Sequence, residues 1–307
     1  MGLIPGIGLT AKSQSGSPAE LKYQLHVGYG DYAKISSNGG LGWSNTFYNW
    51  VTYRKPAINS TGQYMILSLW GTSFATSSNF GVTWTFQSIS TSNGFAAAIS
   101  STGQYQVVCS TNSIISLSTD YGATWTEKKI YVTNLTTSGV SVSSNGQYMV
   151  VVSNWGAFVS SDYGSNWTLV SSGLGSKCAI SSSGQYIVTG FTTATYMRVS
   201  TNYGVSFNSV GDTAIINDVD CSSSGMYQLA SGSGYMRVSS NYGTSWTNIY
   251  YPGVSFIGVA LSSSGKYQKA VGANNFIYES NDFGLTWNVT SIPSLSNPYL
   301  AMQKFAT

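Results

Sequence analysis

One eight-residue pattern, Ser-x-(Asp/Asn)-x-Gly-x-x-(Trp/Phe), recurs along the chain. It runs from Ser36 to Trp43, Ser77 to Trp84, Ser118 to Trp125, Ser160 to Trp167, Ser200 to Phe207, Ser239 to Trp246 and Ser280 to Trp287. Successive aromatic positions lie 41, 41, 42, 40, 39 and 41 residues apart. Regularity at this period means that one supersecondary unit is copied, each copy burying its apolar face against its neighbours.

A second motif, close to Ser-x-Gly-Gln-Tyr, lies about 20 residues before each aromatic. It ends at Tyr64, Tyr105, Tyr148, Tyr186, Tyr227 and Tyr267. The first copy keeps Tyr23 at the right distance and lacks the glycine turn. Each copy holds four short β-type runs, a to d. In the third copy they span 95–100, 105–110, 114–118 and 125–130. Thr102-Gly103 separates a from b, and the eight-residue pattern separates c from d.

A four-stranded antiparallel unit repeated seven times predicts an all-β chain. The expected fold is a seven-bladed β-propeller forming one domain over residues 1–307. The blades are expected to end near residues 50, 91, 132, 173, 213, 252 and 293. Run a is small in Ala96-Ala97-Ala98 and modest in Val140-Ser141-Val142 and Val259-Ala260-Leu261, which suits the crowded axis. Residues 299–306 resemble one more run a, so the C-terminal strand is expected to close blade one and remove a free edge. The competing reading makes residues 7–12 the first run a.

Composition narrows the setting. Charged residues are 7% of the chain, far below the usual quarter, whereas 42% hydrophobic and 14% aromatic content argues for a packed core. The surface must be covered by hydroxyls and amides, which points to an extracellular, cell-surface or virion location. No signal peptide is visible at residues 1–10, and no apolar stretch approaches a membrane span. The net charge is +3 without clustered Lys or Arg, so no nucleic-acid footprint exists. Cys109, Cys178 and Cys221 lack metal-ligand spacing and read as small buried apolar residues. No metal or other cofactor is expected. His26 has no acid or cysteine arranged around it, and reads as structural. Sequons occur at Asn59, Asn134, Asn166 and Asn288, several being expected by chance in so Asn/Ser/Thr-rich a chain.

The eight-residue pattern resembles the Asp-box, or BNR repeat. That turn is found in sialidases, xyloglucanase-like glycoside hydrolases, photosystem assembly factors, sortilin-like receptors and some propeller lectins. The resemblance covers nearly the whole chain and implies the propeller fold; its families differ in function. The box residues are Asn38, Asn79, Asp120, Asp162, Asn202, Asn241 and Asp282. Four of the seven are Asn, so charge is not required and the acids read as turn hardware.

A sialidase-like activity would imply an arginine triad, yet Arg54 is the only arginine besides Arg198 and Arg237, which occupy the same place in successive repeats. Xyloglucanase-like hydrolysis needs two opposed carboxylates. Asp218 and Asp220 alternate on a run a and form the best acid pair. In the predicted blade, a–b and c–d turns share one face and carry the motifs. The b–c turns and d–a connections form the other face, where the repeats differ and a specific site is expected. Aromatics gather in those segments: Tyr48, Trp50 and Tyr53 beside Arg54, then Trp70, Trp155, Tyr250 and Tyr251.

The expected function is a non-enzymatic, lectin-like propeller binding a glycan or a protein surface through these residues. The alternatives are a structural or attachment protein of a virion or extracellular assembly, or a polysaccharide-active hydrolase. The repeats also resemble those of hypothetical proteins in large DNA viruses, and a homo-oligomer or lattice fits the second reading.

Overall fold

The computed structural model describes residues 23–27, 33–37, 42, 44–47, 56–69, 71, 73–88, 90, 94–130, 135–173, 175–191, 195–274, 276–291 and 299–302. These form 27 strands, all paired antiparallel. The first sheet is ordered β27 (Tyr299–Met302), β1 (Gln24–Val27), β2 (Ala33–Ser36), β3 (Ser44–Phe47). The next is β4 (Ala57–Ile58), β5 (Met65–Ser68), β6 (Ser73–Ser77), β7 (Thr85–Ser88). Then come β8 (Gly94–Ile99), β9 (Gln106–Ser110), β10 (Ile114–Ser118), β11 (Thr126–Lys129), and β12 (Thr137–Val142), β13 (Met149–Ser153), β14 (Gly156–Ser160), β15 (Thr168–Ser172). The fifth is β16 (Gly175–Ile180), β17 (Ile187–Phe191), β18 (Thr195–Ser200), β19 (Asn208–Ala214).

The last sheet has seven strands: β20 (Asp218–Cys221), β21 (Gln228–Ser231), β22 (Ser233–Ser239), β23 (Thr247–Leu261), β24 (Gln268–Gly272), β25 (Phe276–Ser280) and β26 (Asn288–Ser291). Its 15-residue β23 pairs with β22 over 247–255 and with β24 over 256–261. One continuous strand is therefore the outer strand of one four-stranded unit and the inner strand of the next.

The inner strands touch in a circular order: β4, β8, β12, β16, β20, β23, β27 and back to β4. Six of them, β4, β8, β12, β16, β20 and β23, line a cavity of about 170 Å³ with small side chains such as Ala57, Ala98, Ser141, Ala179 and Ala260. Four-stranded antiparallel sheets set around an axis are the β-propeller architecture. At the C-terminus, Leu300 opposes His26 and Met302 opposes Gln24 across β27 and β1. Residues 7–12 lie outside the described residues.

Burial follows radius. The second strands β9, β13 and β17 are buried at every position, because both faces meet a neighbouring sheet. The outer strands β7 and β11 are mostly exposed. Side-chain alternation feeds two interfaces from one strand. Val107 packs towards Met149 and Phe158, while Val108 packs towards Ile66 and Phe74. Cys109, Cys178 and Cys221 are buried in these layers.

Candidate functional site

The repeated turns have one construction. In the turn before β11, the Ser118 hydroxyl donates to Asp120 Oδ1 at 2.8 Å and accepts the Gly122 N–H at 2.9 Å. Asp120 Oδ1 also accepts the Thr124 N–H at 2.9 Å, and the Trp125 indole donates to the Gly122 carbonyl at 3.1 Å. Asn79, Asp162, Asn202, Asn241 and Asp282 make the equivalent bonds. Asn38 lies outside the described residues. The Thr124 hydroxyl and N–H hold the Asp120 carboxyl below its ordinary range. Thr286 does the same for Asp282. At Asp162, desolvation pulls the other way, and donors led by Asn166 outweigh it.

A residue left unspecified in the pattern proves to be part of the device. Phe80, Tyr121, Tyr163, Tyr203, Tyr242 and Phe283, each just before the turn glycine, adopt φ of 60–64°. Left-handed backbone is costly for a bulky side chain. Each ring packs on the motif tyrosine of the preceding four-stranded unit: Tyr23–Phe80, Tyr64–Tyr121, Tyr105–Tyr163, Tyr148–Tyr203, Tyr186–Tyr242 and Tyr227–Phe283, at 4.5–5.4 Å. The tyrosine also covers the a–b glycine of the next sheet. A Cβ on Gly225 would come within 2.6 Å of Tyr186, and one on Gly265 within 2.5 Å of Tyr227. Backbone bonds link the same turns in series: Ser101 N–H to Ser144 O, Ser144 to Ser182, Ser182 to Ser223 and Ser223 to Ser263, at 2.8–3.0 Å. The clue was in the sequence, since six of seven boxes carry an aromatic at this place and the first has Gly39.

The opposite face is built differently. Trp155, in the β13–β14 turn, is 50% exposed. Tyr250 is 68% exposed, lies opposite Tyr235 across β22–β23, and accepts a hydrogen bond from the Asn248 amide at 3.1 Å. Tyr251 points elsewhere: its ring packs edge-on to Phe256 and Tyr278, and burial pushes its hydroxyl above the usual tyrosine range. Sequence reasoning missed Tyr196, Ile215 and Phe276, which are also exposed on this side. The available signal was an aromatic opening strand c in successive repeats, at Tyr196, Tyr235 and Phe276. Tyr48, Trp50, Tyr53, Arg54 and Trp70 lie outside the described residues, and nothing is described of the His26 side chain.

The two repeat arginines serve as clamps to the preceding sheet. Arg198 donates to Ser171 Oγ at 2.6 Å and lies over the Phe191 ring. Arg237 lies over Tyr235, its guanidinium near Gly211. They do not converge on one point.

The best acid pair is committed to the backbone. Asp218 Oδ2 accepts the Val259 N–H at 3.1 Å, and Asp220 Oδ2 accepts the Leu261 N–H at 2.8 Å. Asp220 Oδ1 accepts the Cys221 N–H at 2.9 Å, and the Asn217 amide reaches the Phe256 carbonyl at 2.7 Å. These side chains satisfy the inner edge of β23, where N–H groups would otherwise lack ladder partners. Asp218 is 8% exposed, whereas Asp220 also lines the axial cavity. Among the described residues no group of three His, Cys, Asp or Glu could hold a metal, and no helix is long and apolar enough to cross a membrane.

No protein-family model matches the chain, and no curated protein matches it. Solved structures do. The chain is similar to the xyloglucanase of family GH74 from Xanthomonas campestris, at 14% identity and a TM-score of 0.67, over 94% of this chain and 53% of that one. It is similar to YCF48 from Cyanidioschyzon merolae, at 14% identity and a TM-score of 0.64, over 86% of this chain and 97% of that one. A YCF48 structure bound to D1 peptide matches at 15% identity and a TM-score of 0.58, over 78% and 82%. At such identities the likeness is one of fold, and that fold is the β-propeller.

Proposed function

We propose that the protein is a non-enzymatic, seven-bladed propeller that binds carbohydrate through aromatic side chains on the face opposite the Asp-box turns. The circular contact order of the inner strands supports the count of seven, with β23 serving two blades and β27 completing the first. The reading is carried by the exposed rings of Trp155 and Tyr250, the latter with the Asn248 amide on its hydroxyl. Sugars present C–H faces to such rings and hydroxyls to such neighbours. Commitment of Asp218 and Asp220 to the β23 backbone weighs against the hydrolase reading. A chain with only 7% charged residues supports an extracellular, cell-surface or virion setting, and an attachment role there is compatible with glycan binding.

A glycan array probed with the full chain tests this. Binding to a defined glycan class, lost in Trp155→Ala or Tyr250→Ala, is the expected result. An array without signal removes the reading. A peptide ligand is the second reading, because one similar propeller is solved with a peptide bound. A peptide-array signal lost in the same variants would select it.

A further inference from the structure

A cleft of about 390 Å³ opens on the box-turn side, between sheet β8–β11 and the turn joining β14 to β15. That volume falls within the range of small-molecule sites. Buried Leu117 forms its floor, and the tilted rings of Tyr105 and Tyr163 form one wall, 4.9 Å apart.

Two opposite charges line it. Asp162 accepts the Asn166 N–H and the Ser160 hydroxyl at Oδ1, both at 2.8 Å, and the Asn166 amide at Oδ2 at 2.7 Å. These bonds fix the carboxylate, and Oδ2, which accepts the Asn166 amide, has a second lone pair. Lys128 Nζ donates to the Gly164 carbonyl at 3.3 Å, and an ammonium has three donors. Among the described residues no hydrogen bond occupies the Thr119, Thr126 or Ser165 hydroxyls, which also line the cleft.

This combination occurs at one interface. The positions equivalent to Lys128, three residues after each box aromatic, are Thr46, Gln87, Val170, Val210, Ile249 and Thr290. Only Lys128 places a cation beside the next box, and that box holds a carboxylate. With one cation and one anion in the lining, neither an anionic nor a cationic ligand gains a net electrostatic advantage. A neutral polyol suits both, because each hydroxyl donates and accepts. An apolar ring face would cover Tyr163, while adjacent hydroxyls bridge the carboxylate and the ammonium.

We propose that this cleft is a second ligand site, taking one pyranose unit of a neutral saccharide. It is independent of the reading for the opposite face. The test titrates the full chain by ligand-observed NMR and calorimetry with free D-glucose, D-galactose, D-mannose, L-fucose and N-acetyl-D-glucosamine. At least one is expected to bind saturably, with affinity falling at least about tenfold in Lys128→Val and in Asp162→Asn. Both changes keep the fold, since valine stands at 170 and 210 and asparagine at boxes 79, 202 and 241. Trp155→Ala is expected to leave this binding unchanged. No saturable binding up to about 10 mM, or binding that survives both cleft variants, overturns the proposal. Binding lost only in Trp155→Ala also overturns it, and assigns the sugar to the other face.

Discussion

The two faces of the disc are made from the same strands, yet they use aromatic residues in opposite ways. On the box-turn side, Tyr148 is half-buried between the next sheet's Gly184 and the ring of Tyr203. The same arrangement recurs from sheet to sheet. On the other side, Trp155 and Tyr250 are exposed, at places where neighbouring repeats carry different residues. A contact that must form between every pair of blades is fixed by the geometry of the disc. A side chain on the variable face is not bound to that repeated contact, and its exposed part is open to a ligand.

The largest break in this comparison comes from removing β27. A chain ending at Ser291 leaves β1 without its inner partner, and its stability should fall by more than about 3 kcal/mol in denaturant melts. An unchanged midpoint would reject closure by the C-terminal strand. Next is the box-turn face itself. Gly184 has φ +86° and lies under Tyr148, so Gly184→Val combines backbone strain with a clash and should cost about 3 kcal/mol.

A matched pair of aromatic truncations sharpens the contrast. Tyr148→Ala should cost about 2 kcal/mol through lost burial and ring contact, whereas Trp155→Ala should change stability by less than about 0.5 kcal/mol and act only on binding. Equal losses in calorimetry would erase the distinction between faces.

The smallest effect concerns the box acids. The folded pKa of Asp120, Asp162 and Asp282 is depressed, so the folded state binds fewer protons than the unfolded chain near the ordinary value of 3.8. Their contribution is complete above that value and is lost as pH falls through the lower folded values. Asp120→Asn should leave stability at pH 7 within about 0.5 kcal/mol and flatten the acid limb slightly, because Asn79 already makes the same bonds. A large loss at neutral pH would mean that the charge matters.

Much of the scaffold was legible because periodicity is a property of order along the chain. The box spacing marks the c–d turns, and Ser-x-Gly-Gln-Tyr marks the a–b turns, each with its own local hydrogen bonds. The link between these motifs was not legible. Tyr105 meets Tyr163 of the next sheet 58 residues away, and no local rule joins them. Tyr250 and Tyr251 are neighbours in sequence, yet strand alternation sends one to solvent and the other into the Phe256–Tyr278 cluster. Asp218 and Asp220 looked like an acid pair because the sequence lists their charges and not the backbone amides opposite them.

By itself, then, the sequence determined a repeated four-stranded β unit with glycine-dependent turns at two fixed points, because backbone conformation and side-chain capping act over a few residues. Only the tertiary structure decided which aromatics are mortar and which are exposed, and which carboxylates are spent on strand edges. It alone brought Lys128 beside Asp162 across a cleft. Those outcomes depend on what the neighbouring blade presents, and that neighbour is set by the closing of sheets around an axis.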